Sequence, residues 1–447
     1  MTVLVSEAHV SPRISFPRRV AHRLLSYAVD LVYLLLLVGL VPWLLYLVLV
    51  RRRGIGKLSE RLGFPDLEIP QQPRIWIHAV SVGELEAAQP LLTALRERRP
   101  DVELVISTTT TTAQKLAKSR YAHHAVFLFP FDLGFCVRRS LARVRPQMLI
   151  LMELELWPNL ILNTYSQGVP VLIANGRISE GGFKRMWTFR RWLGPFLRCV
   201  RRYLVQNDEY RARLERLGVP DRRLQVTGNL KLDRAPLEKT DQIRGAFNKQ
   251  WGYPEKVLRW IAGCTHDGEE PLILEAHRAL REQFPGLFLI LAPRYVERCP
   301  ELARLARKAG FSVALTSEGP ITGSPAPDVL LVDEVGKLAN LYACADVAFV
   351  GGSLVPRGGH NILEPALAST PALHGPYTAN FREMVELLTG GGATLEVTAE
   401  TLEKNLAAWL ADPEQRRSRV QHGLQLLTHH RGVAERSVRE IVSLLGS

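Results

Sequence analysis

A glycine-rich segment between Phe349 and Phe381 has the residue types and spacing of a ligand site. An apolar run that resembles a buried strand ends at Val350, and two glycine pairs, Gly351-Gly352 and Gly358-Gly359, follow it. The stretch Asn361 to Glu364 then begins a helix-like pattern. Glycine lets backbone N–H groups approach an anion, and a helix N-terminus adds partial positive charge. The segment therefore predicts a site for a phosphorylated ligand.

Glu364 distinguishes this segment from a plain phosphate loop. A carboxylate is a poor phosphate ligand, but it can accept hydrogen bonds from both hydroxyls of a ribose. The segment therefore indicates a nucleotide-sugar or nucleotide-diester pocket. A glycine-rich turn in which Asn361 only caps the helix is the alternative. The spacing does not match the GxGxxG dinucleotide fingerprint.

A second candidate is the motif Ser81-Val82-Gly83-Glu84, which follows the predicted strand Ile75 to Val80. A turn of small residues that ends in a carboxylate at a helix start places Glu84 where it can take a proton from an attacking sugar hydroxyl. Glutamate is also favoured near helix N-termini for electrostatic reasons alone. On these four residues alone, that alternative stays open.

Two series of short apolar runs, each alternating with helical patterns, surround these candidates. The first extends from Ile75 to Gln206 and the second from Leu258 to Val350. This rhythm predicts βαβ units on parallel sheets, and the polar stretch between Asp233 and Gly252 predicts a linker. Two such halves indicate two facing Rossmann-like domains. Because ligands of these sheets bind outside the carboxyl ends of the strands, we expect the active site in the cleft between the halves.

The composition indicates a globular protein with an anionic partner. Of 447 residues 47% are hydrophobic, and 57 Lys and Arg against 44 Asp and Glu give a net charge of +13. Such a surface suits acidic lipid, a phosphorylated substrate or nucleic acid. A nucleic-acid binder is disfavoured because the charge is spread out, without a basic stripe interleaved with aromatic residues. The 5 cysteines form no CxxC or Cys/His cluster, so neither zinc nor a disulfide framework is indicated.

The apolar stretch Leu31 to Val50 carries no charge and is long enough to cross a bilayer, which takes about 20 residues. A cleavable signal peptide is the alternative, but it would have a shorter apolar core and a small-residue exit. Arg51-Arg52-Arg53 follows instead, which favours a retained anchor. Basic residues flank both ends, so the positive-inside rule does not fix the orientation. A monotopic insertion with both ends on the cytoplasmic side stays open.

Several longer motifs in a fixed order give the chain a resemblance to a known family. They are Ser81 to Glu84, Ser107 to Thr112 (STTTTT), Met152 to Leu160 (MELELWPNL), Gly228 to Asp233 (GNLKLD), Ala262 to Glu270 (AGCTHDGEE), Ala292 to Arg294 and the glycine-rich segment. From the anchor almost to the C-terminus, the sequence resembles the 3-deoxy-D-manno-octulosonic acid (Kdo) transferases of bacterial lipopolysaccharide synthesis.

This resemblance implies an α/β protein of the GT-B glycosyltransferase fold, with an inverting mechanism and neither metal nor cofactor. The donor would be CMP-Kdo, and the acceptor would be the lipid A precursor, lipid IVA. The enzyme would lie at the cell inner membrane, with a single N-terminal anchor and its catalytic domains on the cytoplasmic side. An anionic membrane surface is then an expected partner, and nucleic acid is not.

The expected domains follow the same resemblance. They are an N-terminal extension (1–23), a membrane anchor (24–50), an acceptor-binding Rossmann-like domain (51–233), a linker (234–252) and a CMP-Kdo-binding Rossmann-like domain (253–447).

Motif positions imply a role for each candidate residue. Glu84 is implied as the general base, and Glu153 and Lys231 as transition-state stabilisers. The implied CMP contacts are Pro293, Arg294, Val335, Gly336, Lys337, Asn361, Ile362, Leu363 and Glu364. A cation such as Lys231 or Arg294 can offset the charge of departing CMP without a divalent ion. The alternatives are a plain ion pair for Glu153 or Arg294 and a solvated loop cation for Lys231.

Lys57 and Arg61 follow the anchor and start the folded domain, so we predict that they bind the acceptor. Basic residues at a membrane surface attract anionic headgroups, and the implied acceptor carries two phosphates. Two other function classes stay open. One is a GT-B enzyme that glycosylates a membrane lipid from a UDP-sugar, and the other is a membrane-anchored scaffold that does no chemistry.

Overall fold

The structure, a computed structural model, describes residues 20–35, 57–234, 241–253, 257–319 and 326–445. The chain divides into two compact units, one formed by Met1–Arg234 with His430–Ser447 and the other by Ala235–His429. Each unit contains one seven-stranded sheet in which every described pair of strands is parallel. The predicted α/β class with two Rossmann-like domains is thereby confirmed.

The sheet of the first unit has the order β3-β2-β1-β4-β5-β6-β7. Its strands are β1 Arg74–Ala79, β2 Glu103–Thr108, β3 Ala125–Leu128, β4 Pro146–Met152, β5 Val171–Gly176, β6 Arg202–Val205 and β7 Leu224–Val226. Neighbouring residues of one strand enter separate cores on the two faces: Trp76 lies in one, Ile75 and Ile77 in the other. Both faces are covered, which explains why these strands are continuous apolar runs in the sequence.

Helices cover both faces of this first sheet. They are α1 (20–35), α2 Leu58–Arg61, α3 Val82–Arg98, α4 Thr111–Arg120, α5 Gly134–Val144, α6 Pro158–Ser166, α7 Glu180–Thr188, α8 Arg190–Cys199 and α9 Asp208–Arg216. Side-chain caps fix several of their starts, since the hydroxyls of Ser81, Thr110 and Ser179 each accept a hydrogen bond from a backbone N–H of the first turn.

The sheet of the second unit has the order β10-β11-β9-β8-β12-β13-β14. Its strands are β8 Arg259–Thr265, β9 Phe288–Pro293, β10 Val313–Leu315, β11 Val329–Leu331, β12 Val347–Val350, β13 Ala372–His374 and β14 Thr394–Glu396. Its helices are α10 Asp241–Trp251, α11 Glu270–Gln283, α12 Cys299–Lys308, α13 Leu338–Cys344, α14 Leu363–Leu367, α15 Arg382–Gly390, α16 Ala399–Ala411 and α17 Pro413–His429.

The C-terminal helix α18, Val433–Leu445, belongs to the first unit, so the predicted boundary of the second domain at residue 447 is wrong. The Asp233 carboxylate accepts hydrogen bonds from the N–H groups of Gly432 (2.8 Å) and Ala434 (2.5 Å). Val433 and Ile441 are fully buried in a core of the first unit. The contact between Asp233 and the start of α18 is long-range, so local periodicity in the sequence does not reveal it.

The predicted linker at 234–252 is also shorter than expected, because α10 occupies most of it. Phe247 stacks on Tyr253 and Phe288, with ring centroids 6.1 and 6.0 Å apart, and the Arg244 guanidinium pairs with Asp346 at 3.0 Å. These contacts fix a helix that is mostly polar in sequence onto the second unit.

The described part of the predicted anchor, α1, docks on the first unit. Asp30 Oδ1 accepts hydrogen bonds from the N–H of Gly134 (2.8 Å) and from Asn159 Nδ2 (2.9 Å), and Ser26 Oγ donates to Asn159 Oδ1 (2.6 Å). Residues 36–56 lie outside the described chain, and with them most of the predicted anchor. Among the described residues, no helix combines the length and apolar character that a membrane crossing requires.

A buried carboxylate holds the loops at the carboxyl edge of the second sheet. Glu269, fully buried, accepts four backbone hydrogen bonds, from the N–H groups of His266 (2.9 Å), Gly352 (2.7 Å), Ser353 (3.0 Å) and Leu354 (2.9 Å). The first donor follows β8 and the other three follow β12. Charge-assisted hydrogen bonds of this kind are stronger than neutral ones, so Glu269 joins the two loops into one rigid edge.

Replacement of this carboxylate by an amide tests that role. In Glu269→Gln the side-chain NH₂ must face at least one backbone N–H, and each buried donor left without an acceptor costs about 1–3 kcal/mol. We expect the free energy of unfolding of the second unit to fall by at least that amount, measured by urea titration of tryptophan fluorescence. Glu301→Gln, on the exposed side of α12, is the matched control. Equal midpoints for both variants would contradict the role.

Candidate active site

Some residues of each predicted set follow the strands at which the strand order of a sheet reverses. In the first sheet the reversal lies between β1 and β4, and in the second between β8 and β12. Glu84 and Glu153 follow the first two strands, and the segments around His266 and Gly352 follow the other two. Such reversals open a crevice at the carboxyl ends of parallel strands, where ligands of these folds bind.

Glu84 lies in the first turn of α3 and is only 8% exposed. Its Oε2 accepts a hydrogen bond from the N–H of Val80 (2.9 Å), and its Oε1 accepts one from Ser81 Oγ (3.2 Å). Burial and the nearby charges of Glu155 and Glu153 raise the pKa of Glu84 to about 7, against the opposing effect of the Val80 N–H. A carboxylate with a near-neutral pKa is suited to general base catalysis.

Glu153 lies beside two cations at the end of β4. Its Oε2 is 2.8 Å from Arg177 Nε, and its Oε1 is 3.6 Å from Lys231 Nζ. The backbone of Glu153 and Leu154 is left-handed, with φ of 53° and 76°, a conformation that non-glycine residues adopt at a cost and that is concentrated at functional sites. The structure therefore brings the predicted Glu153 and Lys231 together.

Arg177 is a member of this group that sequence reasoning missed. It follows β5 in the run Asn175-Gly176-Arg177, and its side chain is 47% exposed. Its position directly after a predicted strand was the available signal. Asn175 helps to place Lys231, because its Oδ1 accepts a hydrogen bond from the N–H of Leu230 at 3.0 Å.

The two predicted acceptor contacts differ in their surroundings. Lys57 is exposed, with its Nζ 3.4 Å from Asp66 and 3.7 Å from Glu60. The guanidinium of Arg61 donates to the backbone carbonyls of Phe129 (2.8 Å) and Thr109, just beyond β3 and β2. Arg61 thus holds two strand ends in place. Acceptor binding by these two residues stays a prediction.

On the second unit, Arg294 and Glu364 both act on Cys264, which follows Gly263 on β8. Burial and the Glu364 carboxylate raise the pKa of the Cys264 thiol to about 12, against the opposing effect of the Arg294 guanidinium. Asn361 Nδ2 donates to Glu364 Oε1 at 3.0 Å. Arg294 and Glu364 therefore both lie close enough to Cys264 to affect its thiol, and Asn361 is hydrogen-bonded to Glu364. Nucleotide contact by these three residues stays a prediction.

The remaining predicted CMP contacts differ in what they can offer a ligand. Pro293, Ile362 and Leu363 are buried, so their side chains serve the core. Val335 is 83% exposed, and Gly336 is left-handed at φ 90°. Lys337 Nζ pairs with Glu334 at 2.9 Å. Direct nucleotide contact by this set stays a prediction.

The predicted role of the glycine N–H groups as a phosphate cradle is wrong for three of the four glycines. Gly351 N–H donates to the carbonyl of Gly263 (2.8 Å), Gly352 N–H to Glu269, and Gly359 N–H to the carbonyl of Gly352 (2.8 Å). The glycines serve close packing instead: a Cβ on Gly351 would lie 2.7 Å from the carbonyl oxygen of Cys264. Helix α14, at 5 residues, is also short for a strong N-terminal field.

Among the described residues, no group of three or more His, Cys, Asp or Glu side chains is arranged to hold a metal ion. The first site instead contains Glu153 paired with Arg177 and Lys231. The second contains Arg294, Glu364 and two histidines, His266 and His360, for which the sequence suggested no role.

Known proteins resemble this chain along most of its length. A family model described as 3-deoxy-D-manno-octulosonic-acid transferase (kdotransferase) matches residues 56–234. The 3-deoxy-D-manno-octulosonic acid transferase of Haemophilus influenzae is 35% identical over 388 residues, which cover 85% of this chain and 89% of that protein. The transferase of the same description from Bordetella pertussis is 35% identical over 442 residues, 93% of this chain and 99% of that protein.

Solved structures share the fold at much lower identity. UDP-GlcNAc 2-epimerase from Neisseria meningitidis superposes with a TM-score of 0.58 at 11% identity, covering 83% of this chain and 100% of the epimerase. A glycosyltransferase from Rickettsia africae gives 0.58 at 9% identity, covering 84% and 98%. These likenesses support the GT-B-like α/β fold. The sequence relatives, together with the carboxylates and cations at the carboxyl edges of the sheets, show that the chain belongs to the 3-deoxy-D-manno-octulosonic acid transferases, a family of glycosyltransferases.

Proposed function

We propose that this protein transfers Kdo from CMP-Kdo to the lipid A precursor lipid IVA in lipopolysaccharide synthesis, with inversion and without a divalent metal ion. The observation that carries the proposal is Glu84, a buried carboxylate whose pKa is raised to about 7, beside the Glu153–Lys231–Arg177 group. The similar transferases from Haemophilus influenzae and Bordetella pertussis, which are 3-deoxy-D-manno-octulosonic acid transferases, support Kdo as the transferred sugar.

In the proposed reaction Glu84 takes the proton of the attacking acceptor hydroxyl. The hydroxyl oxygen forms a bond to the anomeric carbon of Kdo on the face opposite the phosphate. The bond from that carbon to the phosphate oxygen breaks, and its electron pair leaves with CMP. Negative charge develops on the departing phosphate, and a cation such as Arg294 can stabilise it.

We also propose that the protein works at the inner membrane, with the catalytic units on the cytoplasmic side. Docked α1 leaves apolar side chains in solvent, with Leu24 62%, Leu31 57% and Leu35 65% exposed. Around α7 and α8, Phe189 is 59% and Trp192 is 78% exposed. Exposed apolar patches mark interaction surfaces, and the net charge of +13 suits anionic lipid.

The direct test supplies the full-length protein with CMP-Kdo and lipid IVA and measures the products by mass spectrometry. The proposal expects a product heavier by one or more Kdo residues, formed also in the presence of EDTA, and inhibition by CMP rather than UDP. Inhibition by UDP alone would favour a UDP-sugar donor. Absence of any product with a protein that still binds membranes would favour a scaffold.

Glu84 generates the first prediction on activity. Glu84→Gln cannot accept a proton and is expected to lower kcat by at least ~100-fold, the usual contribution of a positioned base, with CMP affinity unchanged. In the unaltered protein, kcat/KM should rise with pH through about 7, because only the deprotonated carboxylate is the base. Glu97→Gln, on the exposed side of the same helix, is the control. Near-normal turnover in Glu84→Gln would remove this residue from the mechanism.

Arg294 and Glu364 generate a second prediction, on nucleotide affinity measured by calorimetry with CMP. Loss of a hydrogen bond to a charged group costs roughly 1.5–3 kcal/mol, so Arg294→Ala and Glu364→Ala should each raise the Kd of CMP by about ten-fold or more. If Glu364 binds the ribose hydroxyls, its replacement should matter much less for 2′-deoxy-CMP. Arg304→Ala, on the exposed side of α12, is the control. Unchanged CMP binding in both variants would place the nucleotide elsewhere.

A further inference from the structure

Two histidines from different loops meet at the carboxyl edge of the second sheet. His266 follows β8 and His360 precedes α14, and their Nε2 atoms lie 2.9 Å apart. The rings are nearly parallel, with 6° between their planes and 5.1 Å between their centroids. Such a distance requires one Nε2–H donor and one Nε2 lone pair, so the two imidazoles form a hydrogen-bonded pair.

The backbone around the pair holds it in place. The N–H of His266 donates to Glu269, and the His266 side chain, in a residue only 9% exposed, meets Tyr295 edge-on with ring centroids 5.7 Å apart. Both rings lie over Gly352, whose φ is 66°, and a Cβ there would come within 2.9 Å of the His360 ring. The left-handed glycine is therefore required for the approach of the two imidazoles.

The surroundings of the pair disfavour a proton on either ring. Burial, together with the charges of His266 and Arg294, lowers the pKa of His360 to about 4. Burial also lowers the pKa of His266; Glu269 opposes this, whereas Arg357, Arg294 and Arg298 reinforce it. Arg294 acts on both rings, and it is the residue predicted to contact the donor phosphate. An anion bound at Arg294 would screen the charge that disfavours a proton on the pair.

We propose that the His266–His360 pair takes up a proton from solvent when the phosphate of the donor nucleotide binds beside Arg294, and that the resulting imidazolium–imidazole pair adds a second positive charge next to the phosphate. This inference rests on the proposed function, because it takes the ligand to be a cytidine monophosphate. One ring gains the proton at its free Nδ1 while its Nε2–H keeps donating to the other ring.

Proton uptake predicts a pH dependence of CMP affinity that a purely structural histidine pair would not cause. If the complex holds more protons than the free protein, linkage requires the affinity for CMP to fall as the pH rises. The nucleotide itself contributes little above pH ~7, because the second pKa of a phosphate monoester is about 6. A pair that only braces the loops would affect affinity equally at every pH.

Calorimetry on the full-length protein with CMP tests the proposal. At pH ~7.5, binding enthalpies in buffers of different ionisation enthalpy should give an uptake of a substantial fraction of one proton, up to about one. His360→Gln and His266→Gln keep a hydrogen-bonding group but cannot take the proton, so each should abolish the uptake. Each should also weaken CMP binding about ten-fold at pH ~6.5, or ~1.4 kcal/mol, and less at pH ~8.5. His422→Gln is the control. His422 is exposed and lies near Gly392, which precedes β14, so its replacement should change neither the proton uptake nor the affinity for CMP.

The outcomes separate this inference from the proposed function. CMP binding by the unaltered protein without proton uptake overturns the inference and leaves the proposed function standing, whether or not the variants fold. A variant that weakens binding equally at all pH values, with uptake intact, shows a structural pair and also overturns it. No binding of CMP by the unaltered protein would defeat the proposed function and this inference together.

Discussion

The carboxylate of Glu269, with four backbone N–H groups converging on it, is the interaction on which the edge of the second sheet depends. A buried carboxylate without partners would be costly, and here the loops after β8 and β12 supply those partners. The consequence is chemical as well as mechanical. The N–H groups of Gly351, Gly352 and Gly359 already donate hydrogen bonds within the protein, so they cannot bind a phosphate. An anion at this edge would instead contact side chains, namely those of Arg294, His266 and His360.

The buried carboxylate of Glu84, in the first unit, has fewer hydrogen-bond donors than that of Glu269. Glu84 receives only the Val80 N–H and the Ser81 hydroxyl, and two other carboxylates lie near enough to raise its pKa. Glu269 thus accepts four backbone hydrogen bonds, whereas the raised pKa of Glu84 suits it to exchange a proton. The neighbouring Glu153 forms ion pairs with Arg177 and Lys231. Three glutamates at strand ends therefore have three different tasks, set by their partners.

What the sequence could predict was local. The strands are apolar runs because both faces of each sheet are covered, and Glu84 belongs to a helix start with a serine cap. The partners of Gly352 could not be found in that way, because Glu269 lies 83 positions away. The same holds for α18, which is fixed to the first unit by Asp233 across 199 and 201 positions. The polar α10 was missed because only a few apolar residues hold it in place.

Amide hydrogen exchange in the free full-length protein tests whether Glu269 orders the loops after β8 and β12 before any nucleotide binds. The N–H groups of Gly352, Ser353 and Leu354 should exchange slowly without nucleotide, because each donates to a buried carboxylate. Addition of CMP should change their exchange little. Fast exchange of these N–H groups in the free protein, with protection only when CMP is bound, would show that the nucleotide and not Glu269 orders these loops.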